Sequence, residues 1–223
     1  MSYIKPEMAR SAISKMKTFH DTIVGIYHDF DMNLLDNLGR RNIVMSQTQE
    51  KFFAQELAKA YGGVYEDGKT GQPDIVIGEL EKELECKLTS RHKGGAISFS
   101  TDHGTLAQKG ELDYLYIIAD HDFKAFAVLH FEGLTVDDFR PVANGSRGKV
   151  AMYKHKGMEK CTVLLGNVVN NKEANIKKLH KKLEDHESLP NYKRDKYLKS
   201  LEYWTSNPAR YTFELEEVFE SGE

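Results

Sequence analysis

The stretch that most constrains the fold is residues 73–90, which read PDIVIGELEKELECKLTS. The aliphatic run DIVIG is followed by LECKL, in which apolar and charged side chains alternate. Short runs of this kind are typical of β-strands, and a strand sends alternate side chains to opposite faces. We therefore expect a β-hairpin whose second strand carries Glu85 and Lys87 on one face and Cys86 on the other.

The pairing of the hairpin decides which charged side chains meet. If a four-residue loop closes the hairpin between Gly78 and Glu83, Asp74 comes opposite Lys87. Asp74, Glu85 and Lys87 then point from the same face at one end of the hairpin. Glu83 lies at the far end, beside the turn.

The residues before the hairpin have a helical pattern. Apolar side chains from Glu7 to about Leu38 recur at three-and-four spacing, which predicts one or two amphipathic helices that stop at Gly39. The next segment, SQTQEKFFAQELAKAYGG, predicts a helix that begins with a capping box of Ser46 and Gln49.

Further short apolar runs follow the pattern of strands: GGVYE before the hairpin, then DYLYIIA, KAFAVLHF and KCTVLLGNVV after it. Thr105 to Gly110 predicts a short helix between them, and two helices are expected over 175–186 and 191–204. We expect an α/β core in residues 1–141, and a basic strand and helical extension of the same compact domain in residues 142–223.

Charge is unevenly distributed along the chain. Residues 1–141 hold 16 Lys and Arg against 22 Asp and Glu, whereas residues 142–210 hold 15 against 7. A basic segment inside a mildly acidic protein indicates either a solvated face or a surface for a polyanion such as nucleic acid.

Other classes of protein are disfavoured. The aliphatic runs are too short to cross a bilayer, and the N-terminus lacks the apolar core of a secretory signal. Cys86 and Cys161 lie far apart with no metal-ligand spacing, so a cytoplasmic protein without membrane partners is expected. The segment GSRGK lacks the spacing of a P-loop, and no nucleotide cofactor is expected.

Two carboxylates that converge at one end of a hairpin repel each other unless a cation neutralises them. Mg²⁺ takes oxygen ligands of this kind, often only one or two from protein carboxylates. Asp74 and Glu85 therefore indicate a Mg²⁺ site, and Lys87 beside it is suited to offset negative charge that develops on a phosphodiester.

Pro73-Asp74 followed by Glu85-Cys86-Lys87 resembles the motif of the PD-(D/E)xK nuclease superfamily, over roughly residues 44–131. The resemblance implies a restriction-endonuclease-like core, with a central mixed β-sheet flanked by helices, plus N-terminal helices and a basic C-terminal helical region. It also implies that a helix before the hairpin supplies another acidic metal ligand, for which Glu50 is the best match and Glu56 the second. The middle residue of the motif, Cys86, would give its backbone carbonyl to the metal.

The activity that this resemblance implies is that of a type II restriction endonuclease, which hydrolyses double-stranded DNA at a specific site and leaves 5′-phosphate and 3′-hydroxyl ends. A homodimer is expected, because two related active sites cut both strands of a symmetric sequence most simply. A junction resolvase or a repair nuclease shares the same motif. A DNA-binding module without catalysis and an α/β protein with a solvated acidic edge strand are the remaining alternatives.

Candidate DNA contacts are basic side chains near the proposed site or in flexible loops. Such contacts position the protein on phosphates without reading sequence. These candidates are Arg91, His92, Lys93, Lys109, Arg147 and Lys149.

Overall fold

A computed structural model of the protein describes residues 2–67, 72–91, 97–143, 148–184 and 190–219. The α-helices in these ranges are α1 (Pro6–Asp29), α2 (Leu38–Leu57), α3 (His103–Lys109), α4 (Lys154–Gly157), α5 (Asn171–Glu184) and α6 (Asn191–Ser206). The strands are β1 (Val64–Glu66), β2 (Ile75–Ile77), β3 (Lys82–Ser90), β4 (Ser100–Asp102), β5 (Leu112–Ala119), β6 (Ala125–Leu134), β7 (Lys149–Ala151), β8 (Cys161–Leu165), β9 (Asn167–Asn170), β10 (Tyr211–Glu214) and β11 (Glu216–Glu217).

A central mixed sheet organises the first part of the chain. Among the described residues its strands follow the order β1-β2-β3-β5-β6-β11, and β8 also pairs with β6. β3 and β5 are parallel, while the other neighbours in this sheet are antiparallel. The parallel pair requires a crossover connection, which contains α3. The predicted α/β fold with a mixed sheet and flanking helices is thus confirmed.

Both faces of this sheet are covered. α1 and α2 bury apolar side chains such as Ile13 and Phe53 against one face, where Cys86 of β3 also packs. The other face carries an aromatic cluster, in which Tyr116 of β5 contacts Phe99 with ring centroids 4.9 Å apart. Every residue of β5 is buried, which explains why its sequence is an almost continuous apolar run.

Helix α2 begins earlier than the sequence analysis predicted. The side chain of Asn37 caps it by accepting a hydrogen bond from the backbone N–H of Arg40 at 3.0 Å. Gly39 therefore lies in the first turn of a helix rather than after one, and Ser46 is an interior residue rather than an N-cap. Both predictions were wrong because Asn37 supplies the same capping chemistry further upstream.

The hairpin of β2 and β3 forms as expected, but its register differs by two residues. Ile75 pairs with Leu84, and continuing the ladder sets Asp74 opposite Glu85 rather than opposite Lys87. A shift of two preserves the alternation of faces, so the predicted grouping of charged side chains survives the correction.

The cause of this register lies in the turn. Gly78 begins a 3-10 turn instead of pairing with β3, because its N–H donates to the carbonyl of Gly63 at 3.0 Å and that of Glu79 donates to Gly62 at 3.1 Å. A Cβ on Gly78 would lie 3.2 Å from the carbonyl oxygen of Gly63, so the two segments approach this closely only with glycine. Glu81 completes the turn in the left-handed conformation.

The chain divides into two compact units. The first consists of Met1–Asn167 with Leu215–Glu223, and the second of Val168–Glu214. The units do not divide at residue 142, because residues 148–167 belong to the first. In the second unit β9 pairs with β10, and α5 and α6 lie between them in the chain. None of the described helices is both long and apolar enough to span a membrane.

Candidate active site

Asp74 is held by the strand that it faces. It directly precedes β2, and its Oδ2 accepts a hydrogen bond from the backbone N–H of Cys86 at 2.6 Å. Burial raises the pKa of Asp74 to about 6, and the negative charge of Glu85 adds to the increase, although the Cys86 N–H and Lys87 oppose it. The carboxylate is thus oriented, partly buried and short of neutralising charge.

Glu85 and Lys87 form an ion pair on the same face of β3. The Lys87 ammonium donates to Oε1 of Glu85, and the two side chains are only 31% and 15% exposed, respectively. Burial alone would lower the pKa of Lys87, but the charge of Glu85, their hydrogen bond and the charge of Asp74 outweigh burial and raise it. Lys87 is therefore a firmly protonated cation beside two carboxylates.

Glu50 joins this group from helix α2. Burial raises the pKa of Glu50 to about 7, and the charges of Asp74, Glu66 and Glu85 raise it further, in that order. Neighbouring carboxylates thus raise the pKa of both Glu50 and Asp74, and the charge of Lys87 opposes the increase at each. Glu66, which lies on β1, was not among the predicted residues, although its position in the strand before the hairpin was visible in the sequence.

Glu56, the second candidate on α2, has a structural role instead. Its carboxylate accepts hydrogen bonds from Lys15 at 2.7 Å, Lys59 at 2.6 Å and Ser11 at 2.8 Å. Burial opposes ionisation, but these donors outweigh it and lower the pKa of Glu56 to about 2. Glu56 therefore joins α1 to α2 and does not belong to the carboxylate group around Asp74.

Two buried polar residues of α2 support this region: Arg41, which the sequence analysis did not select, and Gln49, which it assigned to a capping box. Gln49, next to Glu50, donates from Nε2 to the carbonyl of Leu115 in β5 at 2.9 Å. Arg41 is fully buried, and its Nη2 donates to Oγ of Ser90 at the end of β3 at 2.8 Å. Both residues lie on the buried face of α2, and an earlier start of the predicted helix would have placed Arg41 on that face.

Of the predicted DNA contacts, the structure describes Arg91, Lys109 and Lys149, which lie on or next to different elements. Lys109 forms an ion pair with Glu83 at 2.8 Å, and its role as a DNA contact stays a prediction. Arg91 follows β3 and is exposed, and Lys149 lies exposed on β7. His92, Lys93 and Arg147 lie outside the described residues.

The carboxylates of Asp74, Glu85 and Glu50 are oxygen ligands of the kind that Mg²⁺ binds, although two of them already accept hydrogen bonds within the protein. Within the described ranges, no group of three His, Cys, Asp or Glu residues is arranged to hold a metal ion. Asp74 accepts from Cys86 and Glu85 from Lys87. Mg²⁺ commonly binds through one or two protein carboxylates. The pKa values of Asp74 and Glu50 are raised first by burial and then by neighbouring carboxylates, and a bound cation would offset both effects. Asp74, Glu85 and Glu50 are thus the residues that would hold it.

Cys86 lies between the two motif residues and faces the other way. Its thiol packs in the core, and burial raises its pKa well above the usual range. The thiol is therefore a small apolar group and not a metal ligand. The predicted role of its backbone carbonyl stays a prediction.

Comparison with known proteins gives no further guide to this site. No family model, curated protein or solved structure matches the chain.

Proposed function

We propose that this protein is a Mg²⁺-dependent endonuclease with a restriction-endonuclease-like core, which hydrolyses phosphodiester bonds in double-stranded DNA. The observation that carries the proposal is the convergence of Asp74, Glu85 and Lys87 at one end of a hairpin, with the pKa of Asp74 raised to about 6. Structural ion pairs usually depress the pKa of a carboxylate, as at Glu56. A carboxylate with a raised pKa beside a paired lysine is instead typical of a functional site.

The reaction would use these residues in distinct roles. Asp74 is oriented by the Cys86 N–H, and Glu85 holds the Lys87 ammonium in place. When bound, Mg²⁺ supplies Lewis acidity and lowers the pKa of water. Lys87 keeps a proton beside the scissile phosphate and offsets the charge that develops as the oxygen of water joins phosphorus and the bond to the 3′ oxygen breaks. The products carry a 5′-phosphate and a 3′-hydroxyl.

The type II restriction activity and the homodimer belong to the same proposal. A junction resolvase or a repair nuclease of the same fold would use the same residues. A DNA-binding module without catalysis is favoured by one observation, namely that Asp74 and Glu85 find partners within the protein itself.

Cleavage of plasmid and phage DNA in Mg²⁺ and in EDTA distinguishes these activities. We expect discrete fragments in Mg²⁺ and intact DNA in EDTA. Sequencing the fragment ends then gives the recognition site, the stagger and the end chemistry together. Discrete ends at one sequence identify a restriction enzyme, and cutting confined to branched DNA identifies a resolvase. Binding without cutting in Mg²⁺ would contradict the proposed catalysis.

A further inference from the structure

The second compact unit has a helical pair that its own contacts hold together. The Lys172 ammonium of α5 donates to the backbone carbonyls of Thr205 at 2.9 Å and Asn207 at 2.8 Å, at the end of α6. The Lys182 ammonium lies 5.3 Å from the centroid of the Tyr197 ring. These contacts fix α6 against α5 along one side, so another face of α6 is left to solvent.

That face bears a groove of about 610 Å³, which we call the α6 groove. Its lining residues recur every three or four positions from Tyr192 to Trp204. Lys196 and Lys199 contribute the cations and Tyr203 another ring. Tyr192 is 70% exposed and Tyr203 is 45% exposed, so both rings are accessible to a ligand.

Arg210 adds a third cation and fixes the rings. Its guanidinium carbon lies 5.7 Å from the ring centroid of Trp204 and 6.0 Å from that of Tyr203. Its Nη2 also donates to the Tyr203 hydroxyl at 2.8 Å. Two rings at the end of the α6 groove are therefore oriented before any ligand arrives, which lowers the entropy cost of stacking on them.

The charge of the unit points to a polyanion. Residues 168–214 hold 10 Lys and Arg against 7 Asp and Glu, whereas the remaining residues hold 21 against 27. Asp195 is an acid among the lining residues of the α6 groove, but Lys196 and Lys199 outnumber it, and Arg210 lies beside two of its rings. A negatively charged partner would thus be attracted by the second unit and repelled by the first on average.

The chemistry of the α6 groove also distinguishes between polyanions. None of its lining residues, all of which the structure describes, is aliphatic. A helix that lies on a lipid surface requires a continuous apolar face, which this groove lacks. Exposed rings that alternate with cations are instead the combination that binds single-stranded nucleic acid, since rings stack on unpaired bases and cations contact phosphates.

We propose that the α6 groove binds single-stranded nucleic acid. Tyr192, Tyr203 and Trp204 stack on unpaired bases, while Lys196 and Lys199 contact the phosphates. This inference goes beyond the proposed endonuclease, because it requires neither Mg²⁺ nor the carboxylates around Asp74. It assigns the second unit the task of holding an unpaired strand.

The chain contains one tryptophan, Trp204, which makes its fluorescence a reporter placed in the groove. The experiment titrates an oligothymidylate into the full-length protein in EDTA, so that no cleavage takes place. We expect saturable quenching of Trp204 fluorescence, and an affinity that falls as salt rises. Lys199→Glu should weaken binding about tenfold and lower the log–log salt slope by about 0.7, the value for the loss of one single-strand phosphate contact.

Matched variants supply the controls. Arg194 lies on the same helix but does not line the α6 groove, so Arg194→Glu makes the same charge change elsewhere and should bind nearly as wild type. Tyr192→Ala should weaken binding about tenfold by removing a stacked ring. Leu198→Ala, which removes another exposed side chain outside the groove, should not.

Three outcomes would overturn the inference. The first is an absence of quenching by the oligothymidylate. The second is an equal loss of affinity in Arg194→Glu and Lys199→Glu, which would indicate a general electrostatic attraction of the oligothymidylate to the helix. The third is a response of Trp204 to anionic phospholipid vesicles but not to the oligothymidylate, which would indicate a lipid surface. Because every titration is done in EDTA, a failure of the proposed cleavage would leave these results unaffected.

Discussion

Glu50 and Glu56 lie on the same helix, yet their environments act on them in opposite directions. Burial and the neighbouring carboxylates raise the pKa of Glu50 to about 7. Hydrogen bonds from Lys15, Lys59 and Ser11 overcome burial and lower the pKa of Glu56 to about 2. The two residues therefore provide a matched pair, in which one carboxylate lies among other acids and the other is held by hydrogen-bond donors.

Glu50→Gln should raise the free energy of unfolding by about 1 kcal/mol at pH 8 in EDTA, because a neutral side chain removes repulsion in a partly buried group of acids. A pKa raised on folding means that the glutamate favours the folded state at low pH and loses that contribution as pH rises through about 7. The extra stability of the variant should therefore vanish below about pH 4.5. Urea denaturation between about pH 4 and pH 8 measures the difference in the free energy of unfolding.

Glu56→Gln should have the opposite effect in the same experiment. A pKa lowered to about 2 means that ionised Glu56 stabilises the fold above about pH 4.5 and that this contribution is lost as pH falls through 2. The variant should be less stable than wild type by about 1 kcal/mol at pH 8. Equal responses of the two variants would contradict the assignment of different roles.

Added Mg²⁺ should raise the melting temperature more at pH 8 than at pH 5. Asp74 and Glu50, with pKa values of about 6 and 7, must lose their protons before they bind a cation, and at pH 5 both are largely protonated. Differential scanning fluorimetry with and without EDTA measures the shift, and Asp74→Asn should reduce it. A shift that is independent of pH and of Asp74 would mean that Mg²⁺ binds elsewhere.

At the scale of elements, the close contact between Gly63 and Gly78 determines the pairing of the hairpin. Gly63→Ala should lower the free energy of unfolding by about 1–2 kcal/mol, because Gly63 has φ +66° and a Cβ there would lie 3.3 Å from the Cα of Gly78. Gly25→Ala is the control, since its Cβ meets no atom within 4 Å and the residue lies inside α1. The free energy of unfolding of Gly25→Ala should rise by about 0.5–1 kcal/mol. Chemical denaturation compares the two, and similar changes in both would show that the Gly63 contact does not constrain the turn.

The sequence predicted the faces of the hairpin but not its register. Alternation of apolar and charged residues depends only on neighbours along the strand, so Glu85 and Lys87 were placed on one face correctly. The register depends on the hydrogen bonds of Gly78 and Glu79 to Gly63 and Gly62, which belong to a separate segment. Local patterns do not contain this information.

Helix α2 also shows that local sequence patterns predict an element but not all of its details. Its stretch around Phe53 was recognised, but the sequence analysis placed the start at Ser46, whereas Asn37 caps the helix. Lys109 likewise has a partner that the sequence analysis did not predict, since Glu83 lies within 2.8 Å of it in the fold. Segments distant in the sequence thus contribute the partners of polar side chains, and a local pattern does not show these partners.

At the scale of the whole molecule, the basic and acidic clusters lie in different compact units. The basic residues that the sequence showed after residue 142 are concentrated in the second unit, Val168–Glu214, whereas the carboxylates around Asp74 belong to the first. The second unit is inserted between β8 and β11, which both belong to the first unit. The order of elements along the chain therefore did not show its boundaries. Composition therefore predicted a basic region but not its limits.

The central claim is that Asp74, Glu85 and Lys87 act together in Mg²⁺-dependent cleavage. Its most direct test measures the rate of DNA cleavage in Mg²⁺ by Glu85→Gln, with Glu83→Gln as the matched control. Both variants neutralise a glutamate on the same face of β3, but Glu83 pairs with Lys109 away from Asp74.

We predict that Glu85→Gln, like Asp74→Asn and Lys87→Ala, lowers the cleavage rate at least about 100-fold, the effect expected when charge stabilisation in the transition state is lost. Glu83→Gln should cut at close to the wild-type rate. Cleavage by Glu85→Gln that matches that of Glu83→Gln would contradict the account.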